Sequence, residues 1–354
     1  MKKPRHIVVV TGTRAEYGLL EPVMRAVAAD RRLRLSVIVC GAHLVSETWR
    51  DVSFPIAAKI AMQKPGDMGR AADVVATARG IVGFGEAFAV MRPDFVVVLG
   101  DRIEAFAAAS AASIGGFRVA HIHGGDRAEG VSDEAMRHAI SKLSHLHFAA
   151  TSLSRKRLIR MGEDAKLVLN VGSPSADGLG GVVAADGPEV IVLQHPIGAA
   201  DAQEKEWMRG TLRATAKFSR LLMAPNRDPG SAGVRAALKG LDVAAHFPRD
   251  AWLSLLAGAR VIVGNSSAGL IEAAILRVPC VNIGPREAGR EKPASVIDCE
   301  YGEANVRATV KRALKLNLKK MKHPYGDGRS GERIAEVLAT IALDRVTVRK
   351  HNSY

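Results

Sequence analysis

The sequence predicts an α/β fold in which two Rossmann-like domains face each other across a cleft, and three observations carry that expectation. Short apolar runs rich in Val, Ile and Leu recur without polar–apolar alternation, as parallel strands covered on both faces require. Longer amphipathic stretches separate them in β-α-β-α order, which builds a parallel sheet coated by helices. Residues 172–188 (GSPSADGLGGVVAADGP) break the pattern near the middle, and a second series of about equal length follows.

In the first series the predicted strands are His6–Val10, Leu35–Cys40, Phe95–Leu99, Val119–Ile122, Leu146–Ala150 and Leu167–Val171. Helical patterns lie between them over Leu19–Ala29, Asp73–Met91, Arg102–Ile114 and Ser132–Lys142. In the second series the strands are Val190–Gln194, Leu221–Ala224, Val243–Phe247, Val261–Val263 and Cys280–Ile283. The expected domains are residues 1–175 and 189–330, with 331–354 a terminal helix and tail that packs back on the first domain. Ligands of such sheets bind outside the carboxyl ends of the strands, so strand-to-helix loops are where the chemistry should sit.

A chain of 354 residues with 47% apolar and 24% charged residues can bury the cores of two domains. Fifty Lys and Arg against 36 Asp and Glu give +14, a balance that suits an anionic partner. The positive charges are scattered, and aromatics at 5% are too few for a base-stacking platform, so a solvated basic surface is expected and no nucleic-acid partner. Cys40, Cys280 and Cys299 form no CxxC pair and are odd in number, which fits buried thiols in a reducing cytoplasm. The apolar run after the basic start is too short for a signal segment, and no run reaches a membrane span's ~20 residues.

Four motifs carry the functional reading. TGTRAEYG (11–18) follows the first strand. There Gly12 permits a tight turn, and Arg14 can grip a phosphate or carboxylate beside a helix start. In LGDRIE (99–104), Asp101 ends a very apolar strand, either solvated in a cleft, paired, or capping the next helix; Glu104 follows one turn later. HIHGGDRAEGVSDEAMRHAISKLSHLHF (121–148) packs His121, His123, Asp126, Glu129, Asp133, Glu134 and His138 behind a strand. Ser132 is a cap, and Asp133–Arg137 and Glu134–His138 are i,i+4 pairs on the helix. Carboxylates gathered at strand ends suit general acid and base work, because like charges separate their pKa values. A metal is the competing use of this cluster, but the spacing matches no ligand signature, so none is assigned. His145 and His147 share one strand face and read as structural.

The fourth motif, VGNSSAGLIEA (263–273), runs a strand into Asn265, Ser266, Ser267 and Gly269, then a helix with Glu272. Small hydroxyl residues and free N–H groups there make a diphosphate cradle, and Glu272 can accept from a ribose diol. His195 in LQHP, the segment Asn226–Ser231, and Arg286 and Arg290 in NIGPREAGR add polar groups at the same end of that sheet.

These motifs, in this order and over nearly the whole chain, resemble the hydrolysing UDP-N-acetylglucosamine 2-epimerases. The resemblance implies the two-domain GT-B fold, a homodimer, a UDP-sugar substrate and no cofactor. It also implies release of UDP and the free 2-epimer, of N-acetylmannosamine type, for sialic-acid-like sugars. By position, Asp101, Asp126 and Asp133 or Glu134 are then the acid–base groups. Arg14, Ser266, Ser267 and Glu272 hold UDP, with His195 near the phosphates. Gly12, Glu104, Arg137, His138, Asn265, Gly269 and Arg290 complete the expected substrate site. Asp126 stands where the family often carries Glu, which leaves room for a UDP-linked 2,4-diacetamido-trideoxyhexose. A GT-B glycosyltransferase and a non-catalytic nucleotide-sugar binder are the alternatives. Both have less use for the carboxylate-rich 121–138 segment.

Overall fold

Phe95–Leu99 is buried along its whole length because it is a central strand with helices on both faces. The same holds for Ile7–Val10, whose residues alternate between two cores. Ile7 and Val9 meet Leu20, Val23 and Met24, while Val8 and Val10 meet Phe84, Phe88 and Ala108. Each such side chain contributes roughly 1.5–3 kcal/mol by leaving water. A computed structural model of the chain describes residues 3–67, 69–127, 134–226 and 228–353.

The chain forms two units. The first comprises Met1–Asp126, Ser132–Asp177 and Gly326–Tyr354; the second comprises Arg127–Val131 and Gly178–Tyr325. Seven parallel strands build the first sheet: β1 (Arg5–Thr11), β2 (Leu33–Cys40), β3 (Ile56–Ile60), β4 (Phe95–Leu99), β5 (Arg118–Ile122), β6 (Leu146–Ala149) and β7 (Val168–Asn170). Their order is β3-β2-β1-β4-β5-β6-β7. Six parallel strands build the second: β8 (Val190–Leu193), β9 (Arg220–Met223), β10 (Val243–Ala244), β11 (Val261–Gly264), β12 (Cys280–Ile283) and β13 (Val296–Cys299), ordered β10-β9-β8-β11-β12-β13. Both are doubly wound, and strand order reverses between β1 and β4 in one and between β8 and β11 in the other. Such reversal points are where open α/β sheets leave a crevice for ligands.

Two strands escape a search for buried apolar runs. β3 and β13 are sheet edges, half exposed, and carry Lys59 and Asp298. The helix Arg70–Met91 also departs from expectation. It is long and apolar enough to cross a membrane by length and composition, with mean hydropathy 1.5 over its best window. Arg70, Asp73, Arg79 and Glu86 interrupt its apolar sequence, which hides that property from a run-length reading. Ala76, Gly80, Phe84 and Phe88 bury one face, while Val74, Val75, Val82 and Val90 are exposed.

Candidate active site

In the first unit, the reversal point brings the loop after β1 against the loop after β4. Gly12 does not adopt a left-handed conformation. Space is what it supplies: a Cβ there would stand 2.6 Å from Glu104 Cγ. Glu104 is fully buried, accepts from Gln63 Nε2 at 2.9 Å and fills the gap beside Gly12. It therefore shapes this loop. The Gly12 N–H donates to Glu16 Oε2 at 2.7 Å. Burial, reinforced by the charge of Glu104, pushes the Glu16 carboxyl up to about 8. Thr13 caps the helix Arg14–Ala29, accepting from the Glu16 N–H, and Arg14 at its first turn pairs with Asp51.

Asp101, just past β4, forms an ion pair with Arg137, which is nearly fully buried. Arg137 lies on the helix Glu134–Leu143 and also meets Glu134 at 3.3 Å; His138 Nε2 is 3.3 Å from Glu134 Oε1. Long-range pairing with Asp101 thus joins the Glu134–His138 pair read from sequence and a Glu134–Arg137 contact that was not. Ser132, Asp133 and Glu129 lie outside the described residues.

Past β5 the backbone turns through His123, which holds a positive φ of 65°. A non-glycine residue there is strained and is kept by its surroundings. His123 Nδ1 donates to Asp126 Oδ2 at 2.9 Å, since a carboxylate only accepts, and Nε2 meets Ser173 Oγ at 3.0 Å. Asp126 Oδ1 accepts from Ser154 Oγ at 2.7 Å. The order Asp–His–Ser has the connectivity of a nucleophilic triad, but Ser173 is fully buried, so it fixes the imidazole instead of attacking. Asp126 accordingly sets the tautomer and orientation of His123. Ser173 sits in the segment read as linker, and only its distance to His123 reveals it.

Neighbouring histidines are structural. Burial lowers His121 to about 3, so it stays neutral, and its Nε2–H donates to the Gly100 carbonyl at 2.7 Å. His145 Nδ1 accepts from the Val119 N–H, and His147 pairs with Glu163 at 2.8 Å.

In the second unit, the reversal point joins the loops after β8 and β11. Asn265, fully buried, clasps His195 through its main chain: Oδ1 accepts from the His195 N–H at 2.6 Å and Nδ2 donates to its carbonyl at 2.9 Å. His195 Nδ1 accepts from the Asn226 N–H at 3.1 Å, so the neutral ring carries its proton on Nε2. Burial, and then the charge of Arg286, holds His195 at about 3. A fixed N–H donor beside a guanidinium suits a phosphate or a departing oxyanion. Arg286 Nη1 donates to the Asn265 carbonyl at 3.2 Å and to Glu287 at 2.9 Å, and Arg290 pairs with the same Glu287 at 2.7 Å.

Gly264 makes the turn from β11 into this loop at φ 150°, where a Cβ would stand 1.9 Å from the Leu193 carbonyl oxygen. Ser266 caps the four-residue helix Ser267–Leu270, its Oγ accepting from the Ala268 N–H at 3.4 Å. One continuous helix is expected here, yet the chain kinks at Ile271 before Glu272–Ile275. Gly269 lets Cys280 pack closely: a Cβ would press on its Sγ at 2.6 Å. Glu272 accepts from Arg249 at 3.1 Å and from Trp252 Nε1 at 2.9 Å, leaving one lone pair on each oxygen. Glu204, also buried, accepts from the N–H groups of Ile197 and Ala199 and so holds the loop after His195. Among the described residues, no group of three or more His, Cys, Asp and Glu could hold a metal ion.

Residues 25–339 match the sequence model of a family described as UDP-N-acetylglucosamine 2-epimerase. The chain is 34% identical to a Legionella pneumophila protein named UDP-N,N'-diacetylbacillosamine 2-epimerase (hydrolyzing), covering 99% of this chain and 100% of that one. It is 30% identical to a Campylobacter jejuni protein named GDP/UDP-N,N'-diacetylbacillosamine 2-epimerase (hydrolyzing), over 84% of this chain and 85% of that one. In fold it is similar to the crystal structure of Methanocaldococcus jannaschii UDP-GlcNAc 2-epimerase in complex with UDP-GlcNAc and UDP. The TM-score is 0.77 at 20% identity, covering 94% of this chain and 99% of that one. The architecture is the GT-B type, with two Rossmann-like domains.

Proposed function

Since the chain belongs to the UDP-N-acetylglucosamine 2-epimerase family, we propose that it hydrolyses a UDP-linked 2-acetamidohexose and inverts the sugar at C2. The substrate we favour is a UDP-2,4-diacetamido-trideoxyhexose. The two relatives at 34% and 30% identity, both named for diacetylbacillosamine, support that choice. The carrying observation is the content of the two strand-order reversal points. The first holds Asp101, paired with Arg137, while Asp126 is tied to His123 past the neighbouring strand β5; the second gathers His195, Asn265, Ser266 and Arg286.

In this reading the first unit works on the sugar. Asp101, Asp126, Asp133 and Glu134 are the acid–base candidates. A carboxylate takes the C2 proton, and the C1–O bond to UDP breaks to leave a 2-acetamidoglucal. Water adds at C1, and an acid on the opposite face returns a proton to C2. A weakly acidic C–H needs a base held in place, which a buried arginine and a paired histidine provide. The second unit holds UDP. Ser266, Ser267 and Arg286 face the phosphates, His195 Nε2–H neutralises charge on the leaving oxygen, and Glu272 takes the ribose. Arg14 adds a further cation once it exchanges Asp51 for phosphate.

A homodimer in the cytoplasm completes the proposal. Ala71, Val75, Ala78, Val82, Gly85 and Ala89 recur at alternating spacings of four and three on the helix Arg70–Met91, a seam suited to a second copy. Val82→Glu should convert dimer to monomer in light scattering; an unchanged mass would remove this seam from the interface. The three free, buried cysteines fit a reducing compartment.

The deciding experiment screens UDP-sugars for UDP release, with NMR of the product in D2O. Deuterium at C2 of a product with inverted configuration is expected. UDP release with C2 retained and undeuterated means simple hydrolysis or transfer and ends the epimerase reading.

A further inference from the structure

The chain from residue 341 onward returns across the first unit to the helix that carries Arg137. Val346 is fully buried in the core beside Ile334 and Leu338. Arg118 donates from Nε to the Val346 carbonyl at 2.6 Å and from Nη2 to that of Leu343 at 3.1 Å. His145 Nε2 donates to the Val348 carbonyl at 3.1 Å, and the Ser353 N–H donates to the Gly162 carbonyl at 2.8 Å. Lys350 ends this path. Its ammonium donates to the carbonyls of Ser141 and Lys142, each at 2.9 Å, and meets Glu163 Oε2 at 2.5 Å.

Those two carbonyls belong to the last turn of the helix Glu134–Leu143, where backbone donors run out; the Ser141 carbonyl also accepts from the Ser144 N–H at 3.1 Å. A cation there adds a charged donor to both and opposes the negative end of the helix dipole. One turn earlier the same helix bears Arg137, paired with Asp101. Ser141 supplies a second tie: its Oγ is 3.2 Å from His121 Nδ1, and His121 Nε2–H reaches the carbonyl of Gly100, the residue before Asp101. The helix is thus pinned to the Asp101 turn on one side and to residues 348–353 on the other.

We propose that residues 341–353 form a strap that sets the position of the helix Glu134–Leu143, with Lys350 a positioning residue for the Arg137–Asp101 pair. Its effect on turnover rests on the epimerase reading; its effect on the helix does not. Lys350 touches no reacting group. It acts by keeping a buried guanidinium in register with a carboxylate that works on the sugar, where a displacement near 1 Å can cost about 100-fold in rate.

Two variants test this: Lys350→Met, and a chain ended after Val348. Both keep Val346 in the core, and both leave Glu163 paired with Lys142 and His147, so the fold has no buried charge stranded. Hydrogen exchange of amides 134–143 should quicken about 10-fold or more. With the UDP-sugar, kcat should fall by a similar factor, while UDP affinity, set in the second unit, changes less than about 2-fold. Lys350→Arg should restore both. Unchanged exchange in both variants overturns the strap, and quickened exchange with unchanged kcat overturns the positioning role. If the unaltered chain releases UDP from no UDP-sugar, the epimerase reading falls, and exchange alone then upholds or rejects the strap.

Discussion

Glu16→Gln should remove a pH-dependent loss of stability that one buried acid imposes on the first unit. Glu16 is 6% exposed, its Oε2 accepts the Gly12 N–H, and burial followed by the charge of Glu104 raises it from 4.5 to about 8. The folded chain therefore keeps a proton on Glu16 over a pH range in which the unfolded chain has released it. A raised folded pKa gives stability that is complete below pH ~4.5 and gone above pH ~8, falling at about 1.4 kcal/mol per pH unit between. The total is on the order of 5 kcal/mol. Gln has the same shape, accepts from Gly12 through its amide oxygen and never ionises. Calorimetric scans of both proteins at pH 5, 7 and 9 isolate the difference, since all other titrations are shared. At pH 5 the two midpoints should nearly coincide. At pH 9 the Gln variant should melt higher by on the order of 10 °C, given about 2–4 °C per kcal/mol for a unit of this size. Parallel curves from pH 5 to 9, or a Gln variant less stable at pH 9, would refute the argument that Glu16 is held protonated by burial.

Asp126→Asn should lower kcat about 100-fold or more, because the His123 ring loses the charge that fixes its proton on Nδ1; UDP affinity by calorimetry should hold, and full activity would free Asp126 of its role. Asn265→Ala unclasps the His195 main chain on both sides and should weaken UDP binding about 10-fold or more, with kcat/KM following; unchanged affinity would mean that the loop stands without it. Gly264→Ala places a Cβ inside the Leu193 carbonyl and should cost more than ~3 kcal/mol in urea unfolding. Acid should loosen the strap: burial alone would raise Glu163, but His147, Lys350 and Lys142 outweigh it and hold it near 2. Its contribution, complete above pH ~4.5, is lost as pH falls toward 2, so exchange in residues 134–143 should rise below pH ~4.

The strand-ending motifs were legible because their chemistry is local. A carboxylate after Phe95–Leu99, a histidine after Val190–Leu193 and an Asn-Ser-Ser run after Val261–Gly264 each interrupt an apolar strand, and parallel sheets put such interruptions at one edge. What each polar group does there was not legible. Glu104 and Gly269 read as ligand contacts from sequence, and the structure shows a packing use for each: one fills a gap beside Gly12 and the other lets Cys280 approach. Ser173 and Lys350 lie 50 and 209 residues from the partners that explain them, His123 and Ser141, so no periodicity or spacing points to either.

By itself, the sequence determined that this chain is a two-sheet α/β protein and which loops carry its polar chemistry, because buried parallel strands and helix starts impose patterns within a few residues. Tertiary structure decided which groups are partners: that Asp101 meets Arg137, that Asp126 orients His123, that Asn265 clasps His195, and that the segment after residue 341 secures a helix two hundred residues earlier. Pairing of that kind depends on strand order and on the space left between close-packed elements, and distance along the chain records neither.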